Sequence, residues 1–534
     1  MPRTRSFWGW GYEGEGLDAT QREGLKALIT MRLGGVELHE TPPPALDDIK
    51  LPPPRITAPT ALAGWLSASR LERASHTYGK AYRDVVRALQ GDFSCAPDAV
   101  AYPASEEDLS RLLDWCADQR VAAIPYGGGS SVVGGVEARL AGDFRGALSV
   151  DMRRFDRVLE VDRTSRAARI QGGIYGPALE DALRQHGCTL RHYPQSFEFS
   201  TLGGWIATRA GGHFATLHTH IDDLVESLRV LTPSGVLETR RLPGSGAGPS
   251  PDRLFIGSEG TLGFITEAWM RLQERPRWRA AATVRFTAFH AALAAARQLA
   301  QSGLYPSNCR VLDANEALIN GAGDGSRHLL LVAFESHDHP LDPWMERALD
   351  ICRACGGEVK EGAGKTLAAD HGERQGEAGT WRQMFLKGPY LRDALATLGM
   401  VAETFETAIT WDRFDAFHAG IEQAVQDAGR RICGQVLLSC RVTHVYPDGL
   451  APYYTVLAPA RRGSQLAQWD EIKAAASEAI LRLGGTITHH HAVGRDHRPW
   501  YDRQRPDLFA RAALAAKQAI DPAGIMNPGV LWGS

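Results

Sequence analysis

The chain has 534 residues, 44% of them hydrophobic, with 59 basic against 62 acidic side chains and a net charge of -3. At roughly 100–200 residues per domain, it is long enough for more than one domain. The near balance of charge excludes a dedicated nucleic-acid binder, which carries a basic excess, and no apolar run approaches the roughly 20 residues that span a bilayer.

The opening stretch, MPRTRSFWGWGYEGEG, lacks the apolar core of a secretory signal. The 8 cysteines are scattered. Their one close pair, Cys352 and Cys355, has no second pair at metal spacing and reads as two thiols on one helix. A reducing, cytoplasmic setting is expected, at most peripheral to a membrane.

Residues 1–90 mix short helical patterns with the proline clusters TPPPALDD and KLPPPRITAPT, and read as a partly helical arm packed on the main body. Residues 91–276 have the texture of an α+β domain. A strand at AVAY leads into a helix over 105–118, which the Ser105 hydroxyl can cap. Next come a buried strand, VAAIPY, and a glycine loop. GALSVDM, RVLEVD and AARIQGG add strands, and GPALEDALRQHG a helix closed by glycine. Over 277–498, the longer amphipathic patterns FHAALAAARQLAQSG and FDAFHAGIEQAVQDAG alternate with strands such as HLLLVAFES, which predicts a second, α/β domain. Residues 499–534 read as a C-terminal helix and tail. No internal repeat or low-complexity tract is present.

IPYGGGSSVVGG follows a predicted strand. Consecutive glycines let backbone N–H groups turn toward one anion, such as a pyrophosphate. It is not the dinucleotide fingerprint, because Val132 stands where the third glycine belongs. EGAGKT is not a P-loop, because Val359 holds the first glycine's place. YPQSFEFSTLGGWIATRAGG and FIGSEGTLGFITEA follow at long intervals. Any one of these is an ordinary tight loop. The three in this order resemble the flavin-binding domain of the vanillyl-alcohol oxidase / p-cresol methylhydroxylase family.

That resemblance implies a two-subdomain α+β flavin domain, an α/β substrate (cap) domain and bound FAD. It places Pro125, Tyr126, Gly127, Gly128, Gly129, Ser130 and Ser131 around the pyrophosphate. Pro194, Gln195, Ser196, Phe197, Glu198, Phe199, Ser200 and Thr201 would line the rest, with Thr208, Arg209, Ala210 and Gly211. So would Glu259, Gly260, Thr261, Leu262, Gly263, Phe264 and Ile265. GGGSS offers no histidine for covalent attachment, so the FAD is expected to be non-covalent.

WGWGYEGEG, YLRDALATLGMVAETFETAITWDR, LSCRVTHVYPDGLAPYYTV and GGTITHHHAVGRDHRPW extend the likeness over nearly the whole chain. Together they are similar to the alkyldihydroxyacetonephosphate synthase (alkylglycerone-phosphate synthase) family, the triple histidine being the most specific element. The resemblance implies a transferase of ether-lipid synthesis. Such an enzyme exchanges the acyl group of acyl-dihydroxyacetone phosphate for a long-chain fatty alcohol, with flavin as electrophile and no net oxidation. A homodimer at a membrane surface comes with it, and no nucleic-acid partner. It puts Tyr453 at the catalytic tyrosine, Arg392 at the phosphate-binding arginine and Arg310 near the flavin, with His489, His490 and His491 completing the site.

A phenol, with a pKa of about 10, becomes a useful base only beside positive charge or donors. His490 and His491 are the expected support and proton shuttle. If their segment is a strand, His489 and His491 share one face and His490 the other. No metal is expected, because adjacent histidines do not converge easily and zinc ligands are usually spaced. The plain alternatives are a core tyrosine with a satisfied hydroxyl and solvating surface arginines. Gln195, Gly211 and Tyr454 depart from the acidic residue, small hydroxyl residue and phenylalanine of the family pattern. The competing reading is an FAD-dependent D-2-hydroxyacid dehydrogenase or oxidase. A long apolar tunnel in the second domain would separate the two.

Overall fold

The computed structural model describes residues 3–140, 142–218, 220–368 and 377–532, with backbone alone at 377–386. Three larger sheets organise the described residues, in addition to a two-stranded pair, Cys188–Thr189 with Gln273–Glu274. The first has four strands, in the order Leu66–Ser67, Ala99–Ala101, Gly146–Asp151, Val121–Tyr126. Gly146–Asp151 is central, runs parallel to both Ala99–Ala101 and Val121–Tyr126, and is buried at every position. Burial on both faces is why these strands read as apolar runs rather than as alternating ones. The helix Glu106–Gln119 makes the crossover, starting from the predicted Ser105 cap. The second sheet is antiparallel and five-stranded, from Val158–Asp162 through Ala167–Gln171, Phe264–Arg271 and Val225–Thr232 to Gly235–Glu238.

The third sheet has nine strands. Its centre runs Trp278–Phe286, His328–Ser336, Asn308–Leu312, Leu437–Val445, Gly449–Pro459, Met400–Glu406. Every pairing in it is antiparallel, so the helix–strand alternation here does not build a parallel sheet. Helices Phe289–Gln301, Asp342–Ala354, Phe414–Cys433 and Gln465–Arg482 pack against it. The arm contributes the helix Ala19–Leu33, closed at its start by an Asp18–Gln21 capping box. Its Leu25, Ile29 and Leu33 enter the core of this sheet.

The chain end returns to the first sheet. After the helix Asp507–Ile520, Ile525 O accepts from Ala123 N–H and Asn527 N–H donates to Ala123 O, both at 2.9 Å. No helix among the described residues is long and apolar enough to cross a membrane.

Candidate active site

The glycine loop after Val121–Tyr126 is pressed against the 194–201 segment. A Cβ on Gly128 would lie 1.8 Å from Phe199 O, and one on Gly127 2.3 Å from Thr201 Oγ1, so glycine is required for the approach. Among the described residues, the backbone N–H groups of Gly128, Gly129 and Ser130 donate to no protein acceptor. Gly128 and Gly129 are buried. Buried N–H groups without partners are costly unless an anion meets them, and the diphosphate of FAD fits that need.

Two adjoining clefts meet at Gly127, Ser131, Thr201 and Thr208. The larger is also lined by Gly128, Gly129, Ser130, Pro194, Gln195, Ser196, Ser200, Ala210 and Gly211. The smaller takes Pro125, Tyr126, Glu259, Gly260, Gly263, Phe264 and Ile265.

Six of the expected cofactor residues lie outside both walls. Phe197 stacks on Tyr193 at 4.5 Å, and Phe199 packs against Trp10 and Tyr12 at 6.3 and 5.9 Å. Glu198 is exposed, Arg209 pairs with Asp222 at 3.1 Å, Thr261 Oγ1 donates to Ser258 O at 2.7 Å, and Leu262 is core. In the 3₁₀ turn Phe197–Phe199, successive side chains fan out by about a third of a turn, so neighbours in sequence cannot share a face.

The remaining groups come from one row across the third sheet. In the ladder, Glu406 stands opposite Tyr453, Tyr453 opposite Arg441, and Arg441 opposite Leu312. Residues paired this way project to the same face, and Arg310, two positions from Leu312, joins them. Tyr453, 3% exposed, lines the large cleft with Arg310 and Arg441. The Arg441 guanidinium lies 3.9 Å from the centre of the Tyr453 ring and donates to Glu316 at 2.7 Å. Arg310 Nη2 donates to His213 O at 3.2 Å.

A register shift between Val442 and His444 turns His444 onto the cavity beside Thr443. Bulges re-aim side chains in this way. Tyr454 faces the opposite side, where its hydroxyl meets His418 Nδ1 at 2.9 Å and its ring stacks on Phe405. Arg392, on the helix Glu377–Thr397, also lines the cavity, with hydrogen bonds to the neutral oxygens Lys80 O (3.2 Å) and Thr404 Oγ1 (3.0 Å).

The three histidines are not on a strand. Residues 487–493 form a bend after the helix Gln465–Arg482. The buried Glu406 carboxylate accepts the backbone N–H of His489 (2.7 Å), His490 (3.2 Å) and His491 (2.9 Å), and the Thr488 hydroxyl (2.6 Å). Three successive N–H groups on one acceptor require a curled backbone rather than a pleat, so the alternation of faces does not apply. His490 and His491 line the cavity. Their rings lie 6.1 and 5.4 Å from that of Tyr453. His489 turns away to Tyr446 (2.8 Å) and His220 (3.1 Å).

Adjacency does not prevent convergence. Ligand atoms of His444, His489 and His490 lie within 4.8 Å of one another. Arg310 and Arg441, which both act on His490, raise the electrostatic cost of a cation there. The cluster therefore reads as neutral donors and acceptors. Burial, with further lowering by His220 and the two guanidiniums, holds His490 down to about 3, and burial holds His444, His489 and His491 well below the ordinary imidazole value. Neutral rings cannot supply positive charge to a phenolate. Among the groups in contact with Tyr453, that charge is on Arg441. Arg441, His444, His220 and Glu406 were not legible as site residues in the sequence.

The depressed value has a measurable consequence. An unfolded His490 takes up a proton below about pH 6.5, whereas the folded one stays neutral down to about 3. Between those values the native state is disfavoured by up to roughly one kcal/mol per pH unit. His490→Gln is therefore expected to gain thermal stability relative to wild type on going from pH 7.5 to 5.5. A melting-temperature gap that does not move toward the variant contradicts the neutral assignment.

Two family models match the chain: "FAD binding domain" over residues 97–240 and "FAD linked oxidases, C-terminal domain" over 275–531. With the fold and the unsatisfied N–H loop, they define a flavoprotein of the FAD-linked oxidase class, with FAD as cofactor. The chain is 32% identical over 524 residues to the alkyldihydroxyacetonephosphate synthase of Dictyostelium discoideum, covering 92% of this chain and 83% of that one. It is 29% identical to that of Trypanosoma brucei brucei, covering 90% and 82%. A solved alkyldihydroxyacetonephosphate synthase structure superposes with a TM-score of 0.80 at 28% identity, over 98% of each chain. The chain belongs to the alkyldihydroxyacetonephosphate synthase family.

Proposed function

We propose that the chain forms an ether bond, exchanging the acyl group of acyl-dihydroxyacetone phosphate for a long-chain alcohol, with FAD held non-covalently. One observation favours this over hydroxyacid oxidation. The large cavity shares Ile319, Leu391, Leu395, Thr455 and Leu457 with an adjoining apolar pocket walled by Leu25, Leu28, Ile29 and Leu33 of the helix Ala19–Leu33. A small hydroxyacid does not need that lining, whereas an alkyl chain is stabilised by about 0.8 kcal/mol for each methylene it buries there. Transfer to hexadecanol should therefore exceed transfer to butanol by orders of magnitude in kcat/KM. Equal use of the two alcohols, or bleaching of the flavin with turnover by D-2-hydroxyacids, supports the oxidoreductase reading instead.

In this reading FAD supplies an electrophilic ring at the substrate carbon. Tyr453 removes the carbon proton under the Arg441 cation, and His490 and His491 pass that proton on as neutral imidazoles. The ester C–O bond breaks as the fatty acid departs as a carboxylate, and the alcohol oxygen makes the new C–O bond and releases its proton. A proton returns to the carbon from the Tyr453 side, so the hydrogens balance and no electrons are gained or lost. Arg310 faces the same cavity, and His489 braces the neighbouring rings. Arg392 clamps the phosphate, a task that suits a guanidinium whose hydrogen bonds go to neutral oxygens. Arg392→Ala is expected to weaken binding of the phosphate substrate by tens- to hundreds-fold, about 2–4 kcal/mol, with FAD content unchanged. Equal loss of FAD and substrate would make it a structural arginine.

The purified protein should be yellow and release FAD on denaturation without proteolysis. Flavin that stays on the denatured chain contradicts non-covalent binding. The same reading divides the chain into an arm (1–90), an FAD-binding domain (91–276), a cap (277–498) and a C-terminal helix and tail (499–534). It includes a homodimer in the cytoplasm working at a membrane surface, where such lipids reside.

A further inference from the structure

The stretch WGWGYEGEG resembles the family but has had no part in the chemistry so far. Residues 5–12 form a tight turn, with an isolated antiparallel bridge between Arg5 and Tyr12 and a hydrogen bond from Ser6 N–H to Gly11 O at 3.0 Å. The turn is wedged between two pieces of the site. On one side, Arg5 Nη2 donates to Gly128 O at 3.1 Å, in the FAD loop, and its guanidinium lies 4.8 Å from the Phe199 ring centre. On the other, Trp10 N–H donates to Asp393 Oδ2 at 2.6 Å, one residue from Arg392. A Cβ on Gly9 would lie 2.5 Å from Asp393 Oδ2. One on Gly11, where φ is +74°, would lie 2.5 Å from the Tyr390 ring. Glycine costs conformational entropy, and here the close approach to the Arg392 helix accounts for both.

Lys80 completes the linkage. Its N–H donates to Ser131 O at 2.6 Å, its carbonyl accepts from Arg392 Nη1 at 3.2 Å, and its Nζ reaches Ser6 O at 3.4 Å. Trp10, 5% exposed, lines the same cavity as Arg392. Its buried Nε1 has no hydrogen-bond partner among the described residues.

We propose that residues 5–12 are a working part of the active site: a clasp that sets Arg392 through Asp393 and Lys80, and closes the adjoining wall of the cavity with Trp10. The group meeting that wall is the phosphate-bearing head of the acyl substrate, so the assignment rests on the reading of Arg392 given above. Trp10 is then a specificity residue, and Asp393 and Lys80 are positioning residues.

The test is steady-state kinetics on the FAD-loaded full chain, varying palmitoyl-dihydroxyacetone phosphate and hexadecanol separately. Trp10→Ala and Gly11→Ala are expected to raise KM for the acyl substrate roughly tenfold or more. KM for the alcohol should stay within about twofold, and FAD per chain should be unchanged. If Arg392→Ala leaves the acyl-substrate KM alone while Trp10→Ala raises it, the phosphate role of Arg392 and its setting by the turn fall, and only the Trp10 wall stands. A wild-type KM in Trp10→Ala, a parallel rise in the alcohol KM, or loss of FAD in step with KM overturns the clasp.

Discussion

Tyr453→Phe is expected to abolish ether formation while leaving the fold and the FAD content intact. The substitution removes one oxygen and keeps the ring, so the stack between the Arg441 guanidinium at 3.9 Å and the His490 ring at 6.1 Å persists. Tyr453 is 3% exposed, and a phenylalanine of the same outline leaves no cavity to relax around. What disappears is the hydroxyl that the proposed reaction uses as its proton acceptor. Positioned general bases contribute about 10²–10⁴ in rate. No other oxygen acid occupies that place in the row, so the loss should lie at the upper end. Turnover, circular dichroism and flavin absorbance measured on one preparation decide the matter. Full turnover contradicts the assignment, and lost flavin makes Tyr453 a packing residue.

Glu406→Gln should cost nearly as much, for a different reason. The carboxylate takes donors on both oxygens: Thr488 Oγ1 and His491 N–H on one, His489 N–H on the other, with His490 N–H shared. An amide supplies a single acceptor, and its NH₂ must face N–H groups that also donate. Hydrogen bonds to a charged acceptor are worth about 1.5–3 kcal/mol each, and losing half of the set releases the loop that carries His490 and His491. Misplacing such groups by about 1 Å costs on the order of 100-fold. The expected result is a fall in kcat of that size with little change in KM for either substrate. A rise in KM alone, with kcat preserved, contradicts the positioning role.

The sequence carried the parts of the fold that are local. VAAIPY, GALSVDM and AARIQGG are strands, and the Ser105 cap opens its helix, because burial pattern and capping chemistry act within a few residues. The consecutive glycines signal a backbone that must approach something, and the structure shows both the neighbouring segment and the unsatisfied N–H groups. The parts of the site that were not legible arrive through register. Arg441 and Glu406 flank Tyr453 only because three strands pair at those positions. In MVAETFE the two glutamates sit three apart, hence on opposite faces. Glu403 bonds Lys473 at 2.8 Å in the helix Gln465–Arg482, while Glu406 holds the histidines. Nothing in the heptapeptide distinguishes them. His444 reaches the cavity by a bulge, which alternation cannot foresee. His490 and His491 lie beside the Tyr453 ring, but burial makes them neutral and leaves the cation to Arg441.

The central claim is ether formation without net oxidation, and product analysis tests it most directly. The FAD-loaded protein is incubated with palmitoyl-dihydroxyacetone phosphate and isotope-labelled hexadecanol, without an electron acceptor and with a chelator present. The account predicts labelled alkyl-dihydroxyacetone phosphate and one palmitate released for each ether formed, at a rate that added zinc or manganese does not raise. No labelled ether, or product that appears only when a metal or an electron acceptor is supplied, contradicts it.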